Sequence, residues 1–120
     1  MEKILLFQSK EATNIRKLAA PMHIKVVEVE LSQFKQTIGK LAGYNKEEEE
    51  ILFDGEAPEG SLMVFCDFTE KHFNTMLQKM RANKIPMTYK AVMTPVNRTW
   101  DVLHMYEEME LERKSYENRQ

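Results

Sequence analysis
The stretch IPMTYKAVMTPVNRTW, residues 85–100, sets the architecture of this chain. Met87, Tyr89, Ala91 and Met93 alternate with Thr88, Lys90 and Val92, the period of two of an extended strand. Proline brackets the run. Pro86 stands at the first strand position, where a missing N–H is tolerated. Pro95 biases Thr94 away from helix. Asn97 is then placed to cap a helix, with Trp100, the only tryptophan, in its first turn. A strand, a stop and a helix make one βα unit. Thr94, Asn97 and Trp100 are expected at the carboxyl end of the strand, where open α/β sheets hold their ligand crevices.

The same unit recurs along the chain. Ile4 to Phe7 and Leu62 to Cys66 are unbroken apolar runs, the mark of strands buried on both faces. His23 to Glu30 alternates and reads as a half-covered strand. Ser9 is placed to cap a first helix with Ala12, Ile15, Leu18, Ala19 and Met22 inward, stopped by Pro21. Ser32 is placed to cap a second, with Phe34, Thr37, Ile38 and Leu41 on one face and Gly43 at its end. Thr69 caps a third, whose Phe73, Met76, Leu77 and Met80 recur at helical spacing. Asn83 is expected to close it in the left-handed region. The last helix carries a stripe of Val102, Met105, Tyr106, Met109 and Tyr116, with Trp100 nearly opposite. Residues 44–61, with Glu47 to Glu50, read as a long acidic loop pinned by Ile51, Leu52 and Phe53.

The order β-α-β-α-β-α-β-α predicts an α/β fold in one domain spanning residues 1–120. The sheet is expected to be four-stranded and mostly parallel, in order 2-1-3-4, with the continuous runs central and the alternating strands at the edges. Helices cover both faces, the second and third on one and the first and fourth on the other, as in a truncated flavodoxin-like sheet. The alternative is a ferredoxin-like α+β sandwich. That needs antiparallel neighbours, and short hairpins to make them are absent. No repeat longer than the βα unit is visible.

The second half also resembles a known family. MVFCDF (63–68), a helix ending in MRANKIP (80–86), the strand YKAVMTP (89–95) and Asn97-x-x-Trp100 ahead of a Glu-rich helix are similar to a small bacterial family, the domain of unknown function number thirty-seven eighty-three. The resemblance covers roughly residues 62–118 and implies a bacterial source. It brings no reaction with it.

Composition narrows the function classes. The 120 residues are 42% hydrophobic and 30% charged, with a formal net charge of -2. There is no basic excess to hold a phosphate backbone, so nucleic acid is not an expected partner. No apolar run approaches the roughly 20 residues of a membrane span, and MEKILLFQSK lacks a signal-peptide pattern. One cysteine, Cys66, fits a reducing cytoplasm. Nine methionines suit an adaptable core.

In a parallel sheet, Gln8-Ser9, the residues after Glu30, Cys66-Asp67 and Thr94 to Trp100 would meet at one carboxyl edge. Candidate binding residues are therefore Gln8, Ser9, Asp67, Lys90, Thr94, Asn97 and Trp100. Most also have a plain structural role, Trp100 as a ring packed under the acidic loop. Ser9 and Asn97 serve as caps, Asp67 as a corner residue, and Lys90 as an edge charge that deters sheet pairing. QSKEAT matches no phosphate-binding loop. Cys66 has no base beside it and reads as core. His104 with Glu107 or Glu108 is weak as a metal set, so no metal, cofactor or catalytic group is expected. Two functions remain open. One is a non-enzymatic module that binds a ligand or protein partner, or its own copy. The other is a small enzyme on an anionic molecule, with Lys90 holding the anion, Asp67 as base, and Thr94 and Asn97 orienting.

Overall fold
The computed structural model describes residues 1–118. Four strands, β1 (Lys3–Phe7), β2 (Lys25–Val29), β3 (Leu62–Cys66) and β4 (Tyr89–Val92), form one sheet in the order β2-β1-β3-β4. The helices are α1 (Ala12–Ala19), α2 (Ile38–Leu41), α3 (Glu70–Ala82) and α4 (Val102–Asn118). Class and strand order are those expected from the sequence. The central strands are buried along almost their whole length, as unbroken apolar runs require.

The strand directions correct the expected convergence. β1–β2 and β3–β4 are parallel, but β1 and β3 are antiparallel, with Lys3 opposite Cys66 and Phe7 opposite Leu62. No hairpin makes this pair. The long connection between β2 and β3 reverses the chain instead. The topology is that of a two-fold repeat about an axis normal to the sheet, passing between Leu5 and Val64. Each half is a strand, a helix, a parallel strand, a 3-10 turn and a second helix, and the first half has a further 3-10 turn, Ala20–Met22, between its helix and its second strand. Gln8 and Asp67, immediately after the two central strands, both take left-handed backbone, with φ of 55° and 60°. Thr37 and Asp101, at the starts of α2 and α4, face each other in an isolated antiparallel bridge.

A two-fold rotation normal to a sheet keeps each face in place. It therefore sends α1 onto the face that holds α3, and α2 onto the face that holds α4. Two cores follow. Leu5, Phe7, Val64 and Cys66 pack with Phe34, Ile38, Val102, Met105 and Tyr106. Ile4, Leu6, Met63 and Phe65 pack with Ile15, Ala19, Met76 and Met80. The pairing of helices expected from an all-parallel sheet is thus exchanged.

Local chemistry explains the other departures. The second helix is broken. Glu30 and Gln33 close a capping box around the 3-10 turn Leu31–Gln33, and Thr37 caps a short α2 by accepting from Lys40 N at 3.1 Å. α1 ends at Ala19, and Pro21 sits in a following 3-10 turn. Thr69 caps α3, as expected, accepting from His72 N at 3.1 Å. Its left-handed terminator is Lys84 rather than Asn83. α4 begins after Asp101, which accepts from His104 N at 2.8 Å. Asn97 instead heads a 3-10 turn, and Trp100 precedes the helix in extended backbone.

Gly39 gives a test of the contact between halves. A Cβ there would lie 2.9 Å from the backbone oxygen of Arg98. Helix propensity alone makes Gly39→Ala stabilising by up to about 1 kcal/mol. Overpacking against backbone costs about 1–3 kcal/mol, so urea unfolding is expected to show a net loss.

Candidate functional site
The antiparallel centre divides the sequence-derived candidates between two ends of the sheet. Gln8 and Ser9 leave β1 at one end. Asp67, Thr94, Asn97 and Trp100 lie at the other, about 20 Å away at roughly 3.4 Å per residue. Lys90 joins neither group. It is exposed on the edge strand, opposite Met63 and on the α1/α3 side. The arrangement of Lys90, Asp67, Thr94 and Asn97 around one anion does not assemble.

At the far end the polar groups are occupied with their own turns. Asn97 Oδ1 accepts from Thr94 N at 2.8 Å, and Asn97 Nδ2 donates to Val92 O at 2.9 Å. Thr94 Oγ1 accepts from Asn97 N at 3.0 Å. Trp100 stacks on His104 with ring centroids 4.4 Å apart. Tyr44 donates its hydroxyl to Asp67 Oδ2 at 2.6 Å, which holds the tyrosine above its ordinary pKa. Cys66 is fully buried, and burial, reinforced by the charge of Asp67, pushes its thiol to about 12. A thiol so disposed stays protonated and is a poor nucleophile.

The Gln8 end carries the cleft. Gln8 Nε2 donates to Pro58 O at 2.7 Å and to Gly60 O at 3.1 Å, and lies 3.2 Å from the Tyr106 hydroxyl. Tyr106 donates to Gly60 O at 3.0 Å. These bonds fasten the end of the acidic loop to β1 and α4. Gly60 has φ of 94°, and a Cβ on it would meet Thr88 at 2.8 Å, so the loop turns here only with glycine. Ser9 closes the turn into α1 by accepting from Glu11 N at 3.1 Å and is not its helix cap.

Between this fastening and α4 lies a cleft of about 650 Å³. Phe53, Tyr89, Leu103 and Tyr106 give it aromatic and aliphatic surface. Glu56, Glu59, Glu107, Glu110 and Arg113 give it charge. The Tyr89 hydroxyl bonds the Glu110 carboxylate. That bond holds Glu110 below the usual carboxylate range, aided by Lys114 and Arg113, and holds Tyr89 above the usual phenol range. The paired hydroxyl and carboxylate fix each other's orientation across the cleft wall. A second hollow adjoins it, lined by Gln8, Ser9, Lys10, Ser61, Met87 and Thr88.

Residues 61–116 match the model of a family described as a domain of unknown function (DUF3783). This span is β3, α3, β4 and most of α4, one half of the two-fold repeat. Tyr89, Tyr106, Glu110 and Arg113 lie in the matched span, while Phe53, Glu56, Pro58, Glu59 and Gly60 of the loop complete the cleft from outside it, and Gln8 holds that loop in place. No match was found among curated proteins or among solved structures. Among the described residues, no helix is long and apolar enough to cross a membrane, and no group of three or more His, Cys, Asp or Glu is placed to hold a metal ion.

The sequence marks Tyr106 as part of a helical core stripe and Tyr89 as one side of an edge strand, and it singles out nothing at Arg113. The available signals were Gly60 at the loop's end and a lone Arg113-Lys114 pair in an acidic helix.

Proposed function
We propose that this chain is a small non-enzymatic binding module of the bacterial cytoplasm, and that its contact site is the cleft between the 58–60 turn, Tyr89 and α4. The observation that carries the reading is the cleft itself. Its volume of about 650 Å³ lies within the range of about 300–1,000 Å³ common to ligand sites. Its surface combines aromatic area with a few polar groups oriented by one another, the composition such sites share. A single buried cysteine suits a reducing compartment, and the family resemblance supports a bacterial source.

Native mass spectrometry of the gently purified chain tests the reading. The expected result is a retained small molecule or second chain, diminished by Leu103→Glu, which places a charge on the cleft wall. A bare monomer at every concentration would contradict it.

A further inference from the structure
We infer that the occupant of this cleft is a protein segment presenting lysine or arginine side chains. The inference rests on the binding reading above and names the partner's chemistry. Charge is unevenly divided in this molecule. The 44–61 loop holds Glu47 to Glu50, Asp54, Glu56 and Glu59 against Lys46 alone. α4 adds Glu107, Glu108, Glu110, Glu112 and Glu117 against Arg113 and Lys114 among the described residues. On the opposite face of the sheet, α1 and α3 are net basic, with Arg16, Lys17, Lys71, Lys79 and Arg81 against Glu70.

Within the acidic side, the cleft is where the carboxylates border apolar area. Glu56, Glu59 and Glu107 have no cationic partner within 4 Å among the described residues. A long basic side chain satisfies both features. Its hydrocarbon stem covers Leu103 and the tyrosine rings while its charged head reaches the carboxylates at the rim. A lysine head already stands over one aromatic ring of the cleft wall, with Lys35 Nζ 5.9 Å from the centroid of the Phe53 ring.

The partner is a different protein rather than a second copy. The basic and acidic faces of this chain lie on opposite sides of one sheet. Copies stacked through them would associate head to tail, which closes only where the rotation between copies completes a ring and otherwise grows into filaments.

The test is an NMR titration of the ¹⁵N-labelled full chain at low ionic strength with a short capped peptide alternating lysine and alanine. The same peptide with glutamate in place of lysine is the control. The expected result is saturable shifts confined to Phe53, Tyr89, Leu103, Tyr106 and Glu107, weakened by added salt. The pair Glu59→Gln and Glu107→Gln should raise the Kd about tenfold, as expected for two exposed ion pairs, with an unchanged melting curve. Shifts at the cleft with the glutamate peptide instead overturn the basic partner and leave the cleft as a site. Cleft residues unmoved by either peptide overturn the basic partner, and the cleft falls with it only if native mass spectrometry also shows a bare monomer. Growth of the chain alone into concentration-dependent polymers that occupy the cleft overturns the choice of a different protein.

Discussion

Phe34→Ala is expected to lower the free energy of unfolding by about 3–5 kcal/mol. Phe34 follows the 3-10 turn after β2 and is fully buried. Its ring meets Phe7 edge-on at 5.8 Å and stacks near Tyr106 at 6.0 Å. Its carbonyl accepts from Val102 N at 3.1 Å, at the start of α4. One residue therefore joins β1, the connection to α2 and the helix of the other half. Truncation leaves a cavity among groups tied to backbone hydrogen bonds, which limits collapse. Total stabilities of about 5–15 kcal/mol are usual for domains, so the loss would be a large fraction of the whole. Urea unfolding with an unchanged m-value is the measurement. A loss under about 1 kcal/mol would mean that α4 does not pack over Phe34.

Tyr106→Ala is expected to cost a similar amount, about 3–5 kcal/mol, while Tyr106→Phe costs only about 1 kcal/mol. Tyr106 is 4% exposed, touches Phe34 and Tyr89 with its ring, and ties Gly60 to α4 with its hydroxyl. The pair of variants separates ring from hydroxyl. The phenylalanine variant should also loosen the 58–60 turn, which Gln8 alone then holds, detectable as faster amide exchange there. The hydroxyl has a pH signature. Burial pushes Tyr106 up to about 12, with the Gln8 bond pulling the other way. The folded state keeps a proton that the unfolded chain loses near pH 10. Stability from this group is therefore full below pH 10 and lost as pH rises towards 12. Tyr106→Phe should make the alkaline limb shallower. Tyr44, Tyr89 and Cys66, also shifted upward, should keep it from flattening.

Burial was legible in the sequence and strand direction was not. The runs ILLF and LMVFC place β1 and β3 in the centre because only strands covered on both faces are apolar throughout. The same runs carry no mark of direction, since a period of two reads alike both ways. The connection from β2 to β3 is long enough to return along either sense. That ambiguity decided the site. Taken as parallel, the strands bring Gln8 and Asp67 together; as found, they set them at opposite ends. The two-fold repeat is hidden in the sequence because backbone conformation and topology carry it. Gln8 and Asp67 share a left-handed backbone but no chemistry. At the start of α4, two good caps stand four residues apart. Asn97 is taken up by Thr94 and Val92, leaving Asp101 to begin the helix. Tyr106 reads as core from its helical stripe, and it is core. Its hydroxyl becomes part of the cleft because the loop from residue 44 to 61 returns over it, a path that local sequence does not specify.

Lys3→Cys tests the antiparallel centre with one substitution. Lys3 and Cys66 are directly paired across β1 and β3, on the α2/α4 face. Directly opposed residues in an antiparallel pair have Cα atoms about 4.5–5.5 Å apart, inside the disulfide range of about 4.4–6.8 Å. In an all-parallel sheet of the same order, Lys3 would stand level with Leu62, and Cys66 would be about 13 Å away. Oxidation of the variant as it refolds from the reduced, unfolded chain, when the otherwise buried Cys66 thiol is open to solvent, followed by mass spectrometry under non-reducing conditions, is expected to join the introduced thiol to Cys66 within one folded monomer. Free thiols, or bonds only between chains, would contradict the two-fold sheet and with it the separation of the two ends on which the cleft assignment stands.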